Sequence, residues 1–213
     1  MIDSNSSPER GMNSSVEQRA DAMAQAMIDS GLAEKSFVED FAHKALEEWV
    51  PRNGARIVAK AWMDPAYKAR LLADGRSAVK ELGFELPAIH RQLMVKENTA
   101  DIHNVICCSL CSCTAFTLMG LPPSWYKDFE YRARAVRQSR TVLRELGLDL
   151  PDSISIRVWD TTADTRYMVL PLRPNYTQGW SEEQLIELVT QDSLIGVSRL
   201  ETQSNPGSES ARG

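Results

Sequence analysis

Apolar residues recur at helical spacing from the beginning of the ordered part of the chain. Ala20, Met23 and Met27 lie three to four positions apart, as residues on one face of an α-helix do. The glycine at position 31 supplies a stop signal. We therefore predict a first helix from Val16 to about Gly31.

A second helix is predicted to begin at Ser36, since Ser36 and Glu39 form the pattern of a capping box. Pro51 ends this helix because proline lacks the N–H that a helix interior needs. Further helices are predicted over residues 53–63 and 65–75, with a short segment over 78–82. Together these elements form a helical arm over residues 16–83.

After Gly83 the pattern changes to short apolar runs, which indicate strands at residues 92–95 and 104–107. A long helix is predicted over residues 125–146. The last part of the chain contains a predicted hairpin (155–160 and 166–172, around a turn at 161–164), a helix from Ser181 to Gln191 opened by a Ser181–Gln184 capping box, and a strand at 195–200.

These elements predict an α+β protein in which the helical arm is followed by an α+β core over residues 84–201. Residues 1–15 are predicted to be a disordered lead-in, because they are rich in Ser, Asn and Gly, and residues 202–213 a flexible tail, because they are rich in Ser, Gly and Glu. The arm could fold back on the core or hold a partner chain. Composition does not decide between these alternatives, and the sequence favours the partner only slightly.

Charge and composition exclude several classes of function. The 213 residues include 24 basic and 29 acidic side chains, giving a net charge of −5, whereas nucleic-acid binding needs a basic surface. We find no apolar run of the length of a membrane span. The first residues are polar and lack the pattern of a signal peptide, so a cytoplasmic location is expected.

The four cysteines are the most informative feature of the composition. All of them, Cys107, Cys108, Cys111 and Cys113, fall within seven residues. A disulfide framework joins distant segments, so this cluster indicates a metal site or redox chemistry instead.

Cys108, Cys111 and Cys113 have the spacing Cys-x-x-Cys-x-Cys. We call residues 108–113 the claw loop. Its short second gap places the backbone nitrogens of Ser112 and Cys113 beside the three sulfurs, so three sulfurs and two nitrogens could surround one ion. Displacing amide protons requires a strongly polarising ion, which favours a trivalent first-row metal over zinc.

Other types of site fit the sequence less well. A structural zinc site needs four ligands, and the histidines at positions 43, 90 and 103 are scattered. An iron–sulfur cluster needs four thiolates, which the adjacent Cys107 and Cys108 would hardly supply together. The flanks do not resemble those of a thioredoxin-like redox pair. A mononuclear site is therefore favoured over these alternatives and over four inert buried cysteines.

The claw loop and its surroundings resemble the nitrile hydratase α subunit. The run NVICCSLCSCT at residues 104–114 resembles the metal claw of that family. The likeness extends over residues 16–200, and its main segments are 120–127, 129–137, 156–171 and 173–174.

The resemblance implies a layered α/β/β/α core and a low-spin, non-haem Fe(III) or Co(III) centre that hydrates nitriles to amides. It implies that Cys108, Cys111 and Cys113 bind the metal through sulfur, and that Ser112 and Cys113 bind it through their amide nitrogens. In the family the cysteines that correspond to Cys111 and Cys113 are oxidised to a sulfinate and a sulfenate. Ser109 favours iron, because iron members begin the claw with Cys-Ser and cobalt members with Cys-Thr.

Several partners follow from the same resemblance. A β subunit, in an αβ or α2β2 assembly with one Fe(III) per αβ pair, would supply two arginines to the oxidised sulfurs, and an activator protein would load the metal. The Cys113 sulfenate is the candidate nucleophile or base toward a small nitrile, with Cys111 beside it. No arginine lies within residues 96–131, so compensating charge must come from elsewhere. Arg166 is predicted either to orient the subunits or to form a salt bridge.

The γ subunit of cobalt thiocyanate hydrolase is the alternative within the same superfamily, and an electron carrier and a structural zinc protein are more distant ones. Two departures from the nitrile hydratase pattern stand out. Ala115-Phe116 replaces the usual Trp-Pro and should alter the wall of the substrate pocket. Cys107 replaces an aliphatic residue, and we interpret it as a small buried apolar side chain.

Overall fold

A computed structural model describes residues 15–200. The predicted tail, 202–213, and all but the last residue of the predicted lead-in, 1–15, lie outside the described residues. The chain divides into two compact units, with the division after Lys44.

The first unit contains helices α1 (Val16–Asp29) and α2 (Phe37–His43). Ser15 caps α1 in a capping box with Gln18. The Ser36 side chain makes no capping hydrogen bond to α2, so the capping box predicted there is wrong. Neither helix has a buried residue, and the exposed apolar side chains of this unit include Val16, Met23, Leu32, Phe37, Val38 and Phe41.

The second unit begins at Ala45, and its first helices are α3 (Pro51–Met63), α4 (Pro65–Ala73) and α5 (Gly75–Lys80). A single π-helical segment, Lys44–Glu48, precedes them. Ile57, Val58, Tyr67 and Leu71 are fully buried. These helices therefore supply side chains to the core of the second unit.

Four strands form two parallel pairs. Strand β1 (Gln92–Glu97) pairs with β4 (Thr165–Leu170), and β2 (Ile102–Cys107) pairs with β3 (Ser155–Asp160). The two pairs pack on each other through β2 and β4, while α4 and α5 cover β1 and helix α9 (Ser139–Glu145) covers β3. The α+β fold with an α/β/β/α layering is confirmed.

The hairpin predicted between residues 155–160 and 166–172 is wrong, although both strands exist. β3 and β4 are consecutive in the chain but lie in different sheets. The turn signal at 161–164 shows only that the chain bends there. Which strands pair depends on which of them are buried together in the core. β2 is buried along nearly its whole length, as parallel strands covered on both faces are.

The long helix predicted over residues 125–146 is divided into three. Helices α7 (Ser124–Lys127) and α8 (Phe129–Ala135) are separated at Asp128, whose carboxylate accepts hydrogen bonds from the N–H groups of Glu130 and Tyr131. An N-cap of this kind begins a new helix, and periodicity alone did not reveal it. The short helix α6 (Phe116–Met119) precedes α7, and α9 follows α8.

The last part of the chain is helical. A 3-10 turn, Asn175–Thr177, leads to α10 (Glu182–Leu188), which the predicted Ser181–Gln184 capping box opens. The strand predicted at 195–200 is wrong, because α11 (Gln191–Ile195) ends at Gly196, which has a φ of +94°. A Cβ at Gly196 would lie 2.0 Å from the Asn104 carbonyl oxygen, so only glycine lets this turn approach β2.

Within residues 15–200 no helix combines the length and the apolar character that a membrane crossing requires.

Candidate metal centre

The claw loop begins where β2 ends. Cys107, the last residue of β2, is opposite Asp160, the last residue of β3, and its carbonyl oxygen accepts a hydrogen bond of 2.9 Å from the Thr161 N–H. Val105, Ile106 and Cys107 are buried. The loop therefore emerges from a strand whose position is determined by the core.

The three sulfurs of the claw loop converge on one point. The Cys111 Sγ lies 3.3 Å from the Cys108 Sγ and 3.0 Å from the Cys113 Sγ. All three sulfurs lie within 4.8 Å of one another, and they form the one group of metal-ligating side chains found among residues 15–200. The donor set is therefore three thiols without a carboxylate or an imidazole.

The separations between sulfurs indicate the coordination angle that the loop favours. At a metal–sulfur distance of about 2.3 Å, two sulfurs would lie about 3.8 Å apart in a tetrahedral site and about 3.3 Å apart at a right angle. The observed 3.3 and 3.0 Å fit the right angle. These two pairs of thiols are thus closer together than the sulfurs of a tetrahedral zinc site.

The thiols of Cys111 and Cys113 differ in acidity. Hydrogen bonds from the Cys113 thiol, the Cys108 thiol and the backbone N–H groups of Cys113 and Ser112 lower the pKa of Cys111 to about 7. Burial, together with the neighbouring Cys111, raises the pKa of the Cys113 thiol. Of these two thiols Cys111 therefore ionises first, and thiolates are the form that binds metals.

Cys107 lies outside this group of sulfurs. It is fully buried at the end of β2, and burial raises the pKa of its thiol to about 12. These properties agree with its interpretation as a small apolar core residue.

Arg166 is a buried cation that acts electrostatically on the claw loop. Its Nη1 donates to the Thr162 carbonyl oxygen at 2.6 Å, and its charge counteracts the rise in the pKa of Cys113. The predicted salt bridge is absent from the described residues, because backbone carbonyls accept from this guanidinium. Part of the compensating charge therefore comes from a distant segment of this chain.

Phe116, one of the two departures from the family pattern, packs between two rings. Its ring centroid lies 4.8 Å from that of Trp49 and 5.2 Å from that of His90. His90 is buried, and burial with the nearby charges of Arg166 and Arg76 lowers its pKa to about 4. The imidazole is therefore neutral at pH 7.

None of the three histidines joins the sulfurs. His103 is buried and its Nε2 lies 2.8 Å from the Gly196 carbonyl oxygen, while His43 is exposed on α2. The prediction that the histidines are not ligands agrees with this placement.

Two tyrosine hydroxyls donate hydrogen bonds to the backbone of the claw loop and of β2. The sequence did not indicate a role for these tyrosines. The Tyr126 hydroxyl donates to the Cys113 carbonyl oxygen at 3.3 Å, and the Tyr131 hydroxyl donates to the Ile106 carbonyl oxygen at 3.0 Å. Both rings are buried and pack with Trp125. The five-residue spacing of the tyrosines carries no recognisable signal, since they lie on two separate helices.

A carboxylate also contacts the loop. Asp160 accepts hydrogen bonds from Ser109, through Oδ1 from the backbone N–H at 2.9 Å and through Oδ2 from the side-chain hydroxyl at 2.5 Å. Sequence analysis did not reveal this contact, because the two residues are 51 positions apart in the chain. Only the register of β2 and β3 brings Asp160 to the base of the claw loop.

Comparison with known proteins identifies the relatives of this chain. A family model described as nitrile hydratase, alpha chain, matches residues 14–198. A nitrile hydratase α subunit from a Rhodococcus species is 48% identical over 185 residues, which cover 86% of this chain and 92% of the relative. A low-molecular-weight cobalt-containing nitrile hydratase α subunit from Rhodococcus rhodochrous is 45% identical, covering 87% and 89%.

Solved structures agree with these matches. A double mutant of an Fe-type nitrile hydratase from Comamonas testosteroni Ni1 is 60% identical, with a TM-score of 0.84 over 88% of this chain and 91% of that chain. The γ subunit of thiocyanate hydrolase from Thiobacillus thioparus is a less similar relative, 40% identical over 83% of this chain and 76% of its own length. The fold, the sulfur cluster and the extent of these matches agree: the chain belongs to the nitrile hydratase α-chain family.

Proposed function

We propose that this chain is the metal-binding subunit of an enzyme that adds water to a small nitrile and releases the corresponding amide. The convergence of three cysteine sulfurs at the end of a buried strand supports the proposal most directly. Cys108, Cys111 and Cys113 would bind the ion through sulfur, and Ser112 and Cys113 through their backbone nitrogens. Such an ion, when bound, supplies Lewis-acid activation of a nitrile or of water.

We propose Fe(III) as the ion, at one per αβ pair. Ser109 follows the first claw cysteine, as in iron members of the family, and an Fe-type enzyme is 60% identical in sequence. A cobalt-containing relative is 45% identical, so Co(III) is the second candidate.

Cys113 and Cys111 would carry the chemistry of the protein itself. We propose that one dioxygen molecule supplies both oxygen atoms of a Cys111 sulfinate. One atom of a second dioxygen molecule gives a Cys113 sulfenate, while a thiol reductant supplies two electrons, and two protons join them, to convert its other atom to water. The Cys113 sulfenate oxygen then acts on the nitrile carbon as nucleophile, in which case water cleaves the resulting adduct, releasing the amide and restoring the sulfenate, or as base toward the attacking water. In the net reaction the carbon gains the oxygen of water and the nitrogen gains its two protons.

A β subunit would complete the site, in an αβ or α2β2 assembly. The oxidised sulfurs add negative charge to a segment without arginine, residues 96–131, and Arg166 is one cation for two anionic groups. Leu110, inside the claw loop, is 86% exposed. The helices of the first unit bury no residue of their own, so they also offer an apolar surface to a partner.

An activator protein would deliver the metal. We place the protein in the cytoplasm, because a reducing compartment keeps clustered thiols free until the metal binds.

Turnover by the purified αβ complex tests this function against thiocyanate hydrolysis. The complex should convert a small aliphatic nitrile to its amide and leave thiocyanate unchanged, as measured by chromatography of the products. Thiocyanate hydrolysis without nitrile hydration would contradict the proposal and favour the less similar relative.

A further inference from the structure

The claw loop is hydrogen-bonded to the rest of the protein near both of its ends. Near its beginning the Ser109 N–H donates to Asp160, and at its end the Cys113 carbonyl oxygen accepts a hydrogen bond of 3.3 Å from the Tyr126 hydroxyl. The second bond is made to the residue that carries the proposed nucleophile. It therefore acts on the backbone of a metal ligand itself.

Cys113 is the point at which the chain returns to the core. Cys111 is exposed and Cys113 is half-buried, whereas Thr114 and Ala115 are buried. Because a peptide group is planar, the hydrogen bond to the Cys113 carbonyl oxygen restrains the whole peptide that joins Cys113 to Thr114. The direction in which Cys113 presents its own sulfur and backbone nitrogen depends on that restraint.

Tyr126 is itself held by the core. The residue is fully buried on α7, and its ring centroid lies 5.8 Å from that of Trp125 and 5.7 Å from that of Tyr131. Rings at such separations attract one another beyond the burial of their surfaces. Burial raises the pKa of the Tyr126 hydroxyl far above its usual range, so the hydroxyl keeps its proton and is the donor to Cys113.

We propose that Tyr126 is a positioning residue for the metal centre, which acts through the Cys113 carbonyl to orient the Cys113 sulfur and backbone nitrogen toward the ion. The inference rests on the proposed function, in which Cys113 supplies both a sulfur and a nitrogen ligand. Tyr126 donates to a carbonyl oxygen and not to a sulfur, so it is not a catalytic residue. Outer partners that orient metal ligands typically contribute about 10–100-fold to metal affinity or activity.

Tyr131 provides a matched comparison. Its hydroxyl belongs to the same group of packed rings and donates to the Ile106 carbonyl oxygen at 3.0 Å, which is part of β2 and not of the claw loop. Both tyrosines are buried, so loss of either hydroxyl removes one buried hydrogen bond. Tyr126→Phe and Tyr131→Phe should therefore lose similar stability, and only Tyr126→Phe should alter the metal ligands.

The test compares variants of the full chain purified with its β partner. Tyr126→Phe removes the hydrogen bond to Cys113, replacement of Tyr126 by 4-aminophenylalanine retains an N–H donor at the same place, and Tyr131→Phe is the control. The readouts are the rate of metal loss to a chelator, the position of the sulfur-to-metal charge-transfer absorption, and the free energy of unfolding in urea.

We expect Tyr126→Phe to lose metal about 10–100-fold faster than the wild type and to shift the absorption band. The 4-aminophenylalanine variant should restore the wild-type band. Tyr131→Phe should keep the wild-type band and rate of metal loss, although its stability falls. The double variant Tyr126→Phe/Tyr131→Phe should lose metal at the rate of Tyr126→Phe alone.

Wild-type metal loss and an unchanged band in Tyr126→Phe would overturn the proposal. Equal changes of rate and band in Tyr126→Phe and Tyr131→Phe would also overturn it, because they would show a general effect of lost stability. If Tyr126→Phe does not fold, the 4-aminophenylalanine variant decides, since a shifted band despite the retained donor would overturn the proposal. A wild-type complex without metal or without nitrile turnover would instead contradict the proposed function, so the two failures are distinguishable.

Discussion

Strand β2 and the claw loop that follows it differ in what fixes their positions. β2 is buried along nearly its whole length and pairs with β3 at every residue. In the claw loop Ser109, Leu110 and Cys111 are exposed, and the loop contains no helix or strand. The loop is therefore positioned by a few hydrogen bonds at its base, whereas the strand is positioned by the core.

This difference separates stability from activity. Removing a side chain from the strand or its support should lower the free energy of unfolding, because buried contacts and hydrogen bonds are lost. Removing a sulfur from the loop should abolish turnover and leave the fold intact, since a chain of this size has a core that does not need the metal. Each prediction below tests one side of this division.

The largest effect is expected from Cys113→Ser in the αβ complex. Nitrile hydration should fall by at least about 1000-fold, as it does when an essential nucleophile is removed, because both the ligand and the oxidisable sulfur are lost. Steady-state kinetics and circular dichroism measure turnover and fold on the same sample. Cys107→Ala is the matched control, and wild-type activity in Cys113→Ser would exclude Cys113 as ligand and nucleophile.

Among variants of β2 and of the residues packed against it, Gly196→Ala should give the largest loss of stability. The new Cβ would lie 2.0 Å from the Asn104 carbonyl oxygen, at a φ of +94°. We expect a destabilisation of about 3 kcal/mol or more in urea unfolding. At Gly147 φ is +93° and no atom lies within 4 Å of a Cβ, so Gly147→Ala should cost only about 1–2 kcal/mol; equal losses in both variants would contradict the role of the close approach.

Acid should destabilise the core through His90. Its pKa is about 4 in the folded chain and about 6.5 when unfolded, so the unfolded state binds the proton more readily. The contribution of neutral His90 to stability is therefore fully present above pH 6.5. The free energy of unfolding falls by about 2–3 kcal/mol as the pH drops toward 4. The free energy of unfolding between pH 7 and pH 4 measures this loss.

His90→Gln should remove that part of the pH dependence, whereas His43→Gln, on the exposed face of α2, should retain it. An unchanged pH dependence in His90→Gln would show that another group is responsible.

The smallest effect is expected from Tyr131→Phe. The hydroxyl donates to the Ile106 carbonyl oxygen at 3.0 Å in a buried position, and its removal should cost about 1–1.5 kcal/mol of stability. Urea unfolding measures the loss, with nitrile turnover per folded molecule as the second readout. A large fall in turnover at unchanged stability would show that Tyr131 acts on the reaction. It would contradict the claim that residues supporting β2 affect stability and not activity.

The sequence was sufficient for the part of the site that is local. The spacing of Cys108, Cys111 and Cys113 predicted that their sulfurs could reach one ion, and the structure brings them together. Helix ends with strong local signals were also predictable, such as the Ser181–Gln184 capping box that opens α10.

Contacts between distant segments were not predictable in the same way. Periodicity indicated β3 and β4, but a turn signal between them does not reveal that each pairs with a strand some fifty to seventy residues earlier. For the same reason Asp160 and Tyr131 had no visible connection to the claw loop. The buried side chains of α3 and α4 show the same limit, because amphipathic spacing does not state which surface a helix covers.

Metal analysis of the αβ complex tests the central claim most directly. Elemental analysis on protein purified without added chelator, together with mass mapping of the peptide that contains residues 108–113, gives the metal, its amount and the oxygen atoms on each cysteine. We predict about one iron per αβ pair, two added oxygen atoms on Cys111 and one on Cys113. Stoichiometric cobalt would correct the metal alone, whereas stoichiometric zinc with unoxidised cysteines would contradict a catalytic metal centre.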